Sequence, residues 1–297
     1  MKILSFGSLN LDQVYQVPHF LRPGETMAAG ERNTFCGGKG LNQSIALARA
    51  GAEVYHAGAV GEADGGILVD ALESSGVDCR LVRRLPCPTG HAIIQVNPEG
   101  QNCILLFGGA NRQITREQVD EALSHFTAGD ILVLQNEISQ LGYLMETAGR
   151  KGLTIVFNPS PMSAALLEMP LRYVSYFLLN EVEARDICGE DVPEEQYPQL
   201  LLKKYPESRV VLTLGARGCI YQDQFRRLAV AAKKVKAVDT TAAGDTFSGF
   251  FVAGIAAGAP VEQALEEATR AAAISVSRRG ASASIPTREE MLSWMEA

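Results

Sequence analysis

The sequence has no C-x-x-C pair, no long basic run and no uninterrupted apolar stretch long enough to span a bilayer. The first absence removes the usual spacing of a zinc site. The second, with a net charge of −7, argues against nucleic acid as the main partner, because phosphate neutralisation dominates that affinity. The third removes a membrane-spanning helix. The opening MKILSFGSLNLDQVY carries an apolar run broken by Asn10 and Asp12. It is too short for a signal-peptide core, and nothing like a cleavage site follows. The six cysteines, Cys36, Cys79, Cys87, Cys103, Cys188 and Cys219, are scattered over 297 residues. A core of this size needs no staples, so they read as reduced packing residues of a cytoplasmic protein rather than disulfides or ligands. Two nucleotide signatures are missing as well. There is no G-x-x-x-x-G-K-[ST], and no G-x-G-x-x-G follows the first strand, which disfavours a nicotinamide oxidoreductase.

What is present is ordinary globular composition, 46% hydrophobic and 21% charged, in a strand–helix rhythm. KILSFG reads as a buried first strand, GGKGLNQSIALARAGA as a helix, EVYHAGAVG as a strand and GGILVDALESSG as a helix. From Thr115, a helix N-cap, the alternation is regular. TREQVDEALSHF, LGYLMETAGRKG, NEVEARDICG and YPQLLLKKYP are helices; DILVLQ, TIVFNPSP, VSYFLL and RVVLTLGARG are strands. That order predicts right-handed βαβ units and a parallel sheet covered on both faces. Two β-rich stretches, residues 13–36 and 88–108, break the rhythm and predict a small separate sheet. The second is two strands around a turn at Asn97, Pro98, Glu99 and Gly100. No linker or repeat divides residues 1–297, which read as a single domain.

Polar clusters follow the strands, where open α/β sheets bind ligands. Asn10 and Asp12 follow the first strand; Glu137, Asn158, Asn180 and Glu183 follow later ones. Asp245 follows a strand-like segment ending near Val238. In AVDTTAAGDTFSGFFVAGIAAG, Asp245 stands beside Ala242, Ala243 and Gly244 where a helix begins. Small residues there leave backbone N–H groups bare, which makes an anion site. An acid beside an anion site suggests chemistry rather than capping.

CGGKGLNQSIALARAGAEVYHAGAVGEADGG and VDTTAAGDTFSGFFVAGI resemble the two signatures of the PfkB-type sugar kinases. GSLNLD, PGET, GGKGLNQ, GGAN, LQNE, LNEVEA, TLGARG, DTTAAGDTF and SRRGASASIP resemble, in order, the ribokinase branch of that family. The resemblance covers nearly the whole chain. It implies the ribokinase-like α/β fold: a central, mostly parallel sheet flanked by helices, with a small β-sheet lid formed by the two β-rich stretches. It also implies an ATP-dependent kinase for a small sugar, D-ribose foremost, yielding D-ribose 5-phosphate and ADP with Mg²⁺.

Carried over residue by residue, the sugar set falls on Asn10, Asp12, Gly38, Lys39, Asn42 and Glu137. Asp245 matches the catalytic base, and the backbone at Ala242, Ala243 and Gly244 an anion hole. The nucleotide set falls on Asn180, Glu183, Thr213, Gly215, Gly218, Gly244 and Thr269. A monovalent-cation (K⁺) site would fall on Asp239, Thr241, Ser275, Arg278, Gly280 and Ser284, mostly through backbone carbonyls. A homodimer through the lid is implied too.

Plainer readings stand beside these. Asp245 alone is a first-turn acid favoured by the helix dipole, and Asn10 and Asp12 are turn formers. Lys39 is a solvated lysine on a glycine turn, Glu137 and Glu183 are helix N-terminal acids, and TLGARG is a β-turn. Arg278 and Arg279 are a solvated charge pair. Leu179 and Thr269 depart from the family pattern, where proline and histidine or asparagine are common. Deoxyribose, a ketohexose or a nucleoside remains open as substrate, as does a catalytically silent sugar sensor, which would have no need of Asp245 and Gly244.

Overall fold

The computed structural model describes residues 1–295. Along the chain the strands are β1 (Ile3–Phe6), β2 (Asn10–Gln16), β3 (Glu31–Gly37), β4 (Val54–Gly61), β5 (Asp78–Leu85), β6 (Gly90–Val96), β7 (Asn102–Phe107), β8 (Ile131–Gln135), β9 (Thr154–Asn158), β10 (Val174–Asn180), β11 (Arg209–Thr213), β12 (Cys219–Gln222) and β13 (Arg227–Val230). The helices are α1 (Lys39–Arg49), α2 (Gly66–Ser74), α3 (Arg116–Ser124), α4 (Leu141–Lys151), α5 (Glu181–Cys188), α6 (Tyr197–Lys204), α7 (Ala243–Ala256), α8 (Val261–Val276) and α9 (Arg288–Ser293).

Nine strands form one sheet in the order β13-β12-β11-β10-β9-β8-β1-β4-β5. From β11 to β5 all neighbours are parallel; β12 and β13 close the other edge antiparallel. Side chains alternate across a strand, and both faces here are apolar. Ile3, Ile131 and Val133 pack into a core with α1, α7 and α8, whereas Leu4, Phe6, Leu132 and Leu134 pack into a second core with α3 to α6. Thr115 caps α3 as expected, accepting from the Gln118 N–H.

A second, four-stranded sheet has the order β3-β2-β6-β7. Its central pair β2/β6 is parallel and its outer pairs are antiparallel. It is the expected small sheet, but β2 begins at Asn10, so Asn10 and Asp12 lie on a strand of that sheet rather than on a turn after β1. Strand β7 is exposed throughout and presents Ile104, Leu105, Leu106 and Phe107 to solvent.

Three features depart from the sequence reading. Strand β5 had no counterpart in it, nor did the β12–β13 hairpin. The strand expected to end near Val238 is absent: residues 231–242 run irregularly, and the Val238 and Asp239 N–H groups donate to Val276 O at 2.8 and 3.2 Å. Helix α7 instead follows α1 closely. A Cβ on Gly249 would lie 2.3 Å from the Ala46 Cβ, so glycine there is what lets the two helices touch. That contact sets the start of α7 against the start of α1.

Candidate active site

The sheet's strand ends meet the small sheet along one edge. Ser8 follows β1, Gln135 ends β8, Asn180 ends β10 and Thr213 ends β11. Gly38, with φ 95°, turns the chain from β3 into α1; a Cβ there would sit 3.0 Å from both Asn10 N and Ser8 O. Helix α1 thus starts hard against the β1–β2 connection. A Cβ on Gly40 would fall 2.4 Å from Ser8 N.

Three carboxylates act on Lys39, and a fourth, Asp12, on Glu137 beside it. Burial disfavours its ammonium, but Asp245, Glu137 and Glu183 outweigh burial and hold its pKa above the usual lysine value. Glu137 is raised by burial, although the Ser8 hydroxyl, the Lys39 charge and the Lys39 N–H (3.2 Å to Oε2) oppose this. Asp12 is pushed up to about 7, by burial and then by the nearby Glu137 carboxylate. A Cβ on Gly37 would collide with the Asp12 carboxylate, so the cross-strand glycine makes its space. Asn10 is buried; its Oδ1 accepts from Asn111 Nδ2 at 2.8 Å, and Asn111 is itself tied to both the N–H and the C=O of Leu9.

Asp245 lies in the first turn of α7, which no side chain caps, and the residue before the helix, Ala242, has φ 60°. A left-handed alanine costs about 1–2 kcal/mol, the sort of strain found at functional sites. The Gly244 position is open: a Cβ there meets nothing within 4 Å. The Ala243 N–H is not free, since it reaches Thr240 O at 3.3 Å. Both carboxylate oxygens of Asp245 are held. Asn42 Nδ2 donates to Oδ2 at 3.1 Å and Gln43 Nε2 donates to Oδ1 at 2.9 Å. Asn42, expected to donate to the sugar, turns one of its two amide N–H groups to Asp245 and leaves a buried, unpaired Oδ1.

Of the expected nucleotide set, Asn180 and Glu183 form a capping box on α5: the Glu183 N–H donates to Asn180 Oδ1 at 2.9 Å, and the Asn180 N–H to Glu183 Oε2 at 3.0 Å. The helix-terminal reading of Glu183 is therefore correct. The same carboxylate also acts on Lys39 electrostatically, and burial raises its pKa. Gly215 and Gly218 have positive φ, 54° and 100°, around the turn after β11; a Cβ on Gly218 would strike Val230 O at 2.0 Å, whereas Gly215 borders open space. The Thr213 hydroxyl donates to Leu179 O at 3.4 Å, and the buried Thr269 hydroxyl donates to Leu265 O of its own helix at 2.8 Å.

The two loops of the expected cation set do meet. Asp239 Oδ1 accepts from the Thr241 N–H (2.9 Å) and hydroxyl (2.6 Å), and Oδ2 accepts from the Gly280 N–H at 3.0 Å. The Ser275 and Ser284 hydroxyls lie 2.8 Å apart. The Arg278 side chain points elsewhere, to Glu290 on the surface at 2.9 Å, in line with the solvated reading. Among the described residues no group of three or more His, Cys, Asp and Glu is arranged to hold a metal ion, and no helix is long and apolar enough to cross a membrane.

Ser8, Gln43, Gln135 and Asn111 were missed as site residues. A signal existed for Gln43: Asn42, Gln43 and Ser44 are three consecutive polar residues on a helix that reads as core, and all three are buried. For Ser8 and Gln135, whose partners lie 129 and 92 residues away, no local pattern exists.

The description "pfkB family carbohydrate kinase" matches residues 1–288. Ribokinase of Haemophilus influenzae is 34% identical over 297 residues, covering 98% of this chain and 97% of that protein. The crystal structure of ribokinase from Thermotoga maritima superposes with a TM-score of 0.89 at 37% identity, covering 98% of this chain and 97% of that one. Arabidopsis thaliana ribokinase, solved with ribose and ATP, gives 0.85 at 28% identity over 98% and 97% of the two chains. With its two-sheet architecture, its carboxylates around Lys39 and this full-length likeness, the chain belongs to the PfkB family of carbohydrate kinases, as a sugar kinase of the ribokinase type.

Proposed function

We propose that the chain is a ribokinase, transferring the γ-phosphoryl group of ATP to the 5-hydroxyl of D-ribose to give D-ribose 5-phosphate and ADP. The observation that carries this reading is Asp245: a carboxylate gripped at both oxygens by Asn42 and Gln43, at the uncapped start of α7, facing the Lys39–Glu137 pair. Asp12 and Glu137 accept hydrogen bonds from sugar hydroxyls, as does the unpaired Asn42 Oδ1. The Asn10 amide and Lys39 donate. A hydroxyl is both donor and acceptor, and a sugar lacking one leaves a buried group unpaired, which discriminates sharply.

Asp245 takes the proton of the attacking hydroxyl as its oxygen bonds to the γ-phosphorus and the bond to the β–γ bridging oxygen breaks. The bare N–H groups at residues 242–244, chiefly Gly244 with its open approach, meet the charge that develops on the transferred group. Ala243 contributes by giving up its long bond to Thr240 O. Asn180, Glu183, Thr213, Gly215, Gly218 and Thr269 line the nucleotide end. Thr269 does so by packing, because its hydroxyl is already spent on Leu265. Mg²⁺ would supply neutralisation of phosphate charge there, with Glu183 the carboxylate that would hold it, through water as suits an ion that keeps its hydration shell.

K⁺ would be held by the two loops that the bond from the Gly280 N–H to Asp239 brings together. Carbonyls of Asp239, Thr241, Ser275, Arg278, Gly280 and Ser284 suit a hard cation of low charge. The exposed apolar row of β7 supports a homodimer through the lid. Six unpaired thiols suit the reducing cytoplasm. The test is ADP release against a panel of pentoses, hexoses and nucleosides. D-ribose should give the highest kcat/KM. A higher value for deoxyribose, a ketohexose or a nucleoside reassigns the substrate, and no ADP release with any of them leaves a sugar sensor.

A further inference from the structure

We infer that Gln43 and Gln135 form a buried carboxamide relay that aims the Asp245 carboxylate, and that they are positioning residues for phosphoryl transfer. The inference rests on the reading of Asp245 as the base. The relay begins at the end of β8, where Gln135 is fully buried. Its Nε2 donates to Gln43 Oε1 at 2.7 Å, and Gln43 Nε2 donates in turn to Asp245 Oδ1 at 2.9 Å.

The order of atoms is what matters. A carboxamide has one donor end and one acceptor end, and Gln43 is only 1% exposed, so water does not restore a mistaken orientation. With Gln135 donating to its oxygen, Gln43 has to turn its N–H toward Asp245. Turned the other way, it would set its oxygen against a carboxylate oxygen. Gln135 has its other end in a tight space. A Cβ on Gly7 would lie 2.2 Å from its Oε1, so the glycine after β1 leaves just the room that this buried, unpaired oxygen needs. Asn42, which holds the other carboxylate oxygen, has no second amide bonded behind it; its Oδ1, like Gln135 Oε1, is buried and unpaired. The two grips on Asp245 therefore differ. One is shared with the sugar side, and the side-chain bonds of the other run to Asp245 and to the strand-end Gln135. Both donors are neutral amides, so they fix the carboxylate without supplying a proton that would compete with the substrate's.

A group that acts only by aiming the base leaves a distinct kinetic mark. Gln43→Met, which keeps length and removes the donor, should lower kcat about 10- to 100-fold, the usual effect of losing a hydrogen bond to a charged group. The KM for ribose should stay within about twofold. Gln135→Met should lower kcat less, and the double variant should be no worse than Gln43→Met, since both act through one bond. In an Asp245→Ala background, Gln43→Met should leave the residual rate unchanged. Thermal melting checks folding; if Gln43→Met fails to fold, Gln43→Asn, which stays polar but is too short to span both partners, is put through the same series. Additive losses, a raised KM at constant kcat, or an equal loss in the Asp245→Ala background would overturn the relay. A loss of activity in Asp245→Ala with neutral Gln43 and Gln135 variants would sink the relay and leave the base assignment intact. High activity in Asp245→Ala would instead remove the reading of Asp245 on which the relay rests.

Discussion

Replacing Asp12 by asparagine should make the sugar-free protein more stable at neutral pH while impairing its use of ribose. Burial and the Glu137 carboxylate raise Asp12 from 3.8 to about 7. The folded state therefore holds a proton that the unfolded chain releases near pH 4. Stability falls with pH wherever the native state binds more protons than the unfolded one. The loss attributable to Asp12 thus starts near pH 4, grows to about pH 7 and is constant above. At 1.36 kcal/mol per pH unit the ceiling is about 4 kcal/mol; water reaching a carboxylate in an open, half-buried site reduces this to roughly 1–2 kcal/mol.

The assay is urea unfolding of wild type and Asp12→Asn without sugar at pH 4, 5.5, 7 and 8. Asp12→Asn should match wild type at pH 4 and exceed it by roughly 1–2 kcal/mol at pH 7 and 8. In turnover, the same substitution should raise the KM for ribose roughly 5- to 150-fold, the cost of one mismatched buried hydrogen bond, with little change for ATP. A variant less stable than wild type at pH 8, or a gap that does not change with pH, would refute the account of Asp12 as a strained carboxylate.

Other outcomes follow from the same site. Asp245→Asn should keep fold and ATP affinity but lose about 10²–10⁴ in kcat, measured in single turnover. Ser8→Ala, which removes the hydroxyl that donates to Glu137, should raise the ribose KM roughly tenfold or more, as expected for a bond to a charged group; an unchanged KM would take Ser8 out of the site. Sedimentation should give twice the 31.9 kDa chain mass, and Leu105→Glu on β7 should return the mass to one chain. At constant ionic strength with Mg²⁺ present, initial rates should be several-fold higher in K⁺ than in a bulky organic cation, and equal rates would remove the cation site.

Much of the fold was legible because the information is local. The β8 and β9 segments are short apolar runs between helix signals, and the Thr115 cap and the turn at Asn97 to Gly100 are written in a few adjacent residues. Strand β5 was not, because Arg80, Arg83 and Arg84 interrupt it; at the end of the sheet order one side of the strand faces water and tolerates charge. The stretch before Asp245 misled in the opposite sense. Its backbone bonds to the end of α8 rather than to a sheet neighbour, as the Val238 and Asp239 N–H bonds to Val276 O show, and the Val238 side chain is exposed. The motif residues Asn10, Asp12, Lys39, Asn42, Glu137 and Asp245 do converge. What resemblance did not carry was the wiring between them: Asn42 turned toward Asp245, Ser8 on Glu137, and the Gln135–Gln43 chain, all fixed by contacts across long stretches of sequence.

The connection between the two sheets has a mechanical consequence. Only residues 7–9 join β1 to β2, and only Gly38 separates β3 from α1. Strands β2 and β6 both start at this joint, in register from Asn10 and Gly90, and run outward together. At about 3.3 Å per residue, Asp12 stands roughly 7 Å from the joint and the far end of β6 roughly 20 Å. The small sheet is therefore a lever whose short arm ends at Asp12. A tilt that moves the outer end by about 3 Å moves Asp12 by only about 1 Å. The apolar row of β7 sits near the short arm instead: Leu106 and Asp12 both pair with Ala92, and Phe107 to Ile104 lie opposite His91 to Ile94. A contact on that row acts on the carboxylate at its own level, and is well placed to hold it against the repulsion of its neighbour.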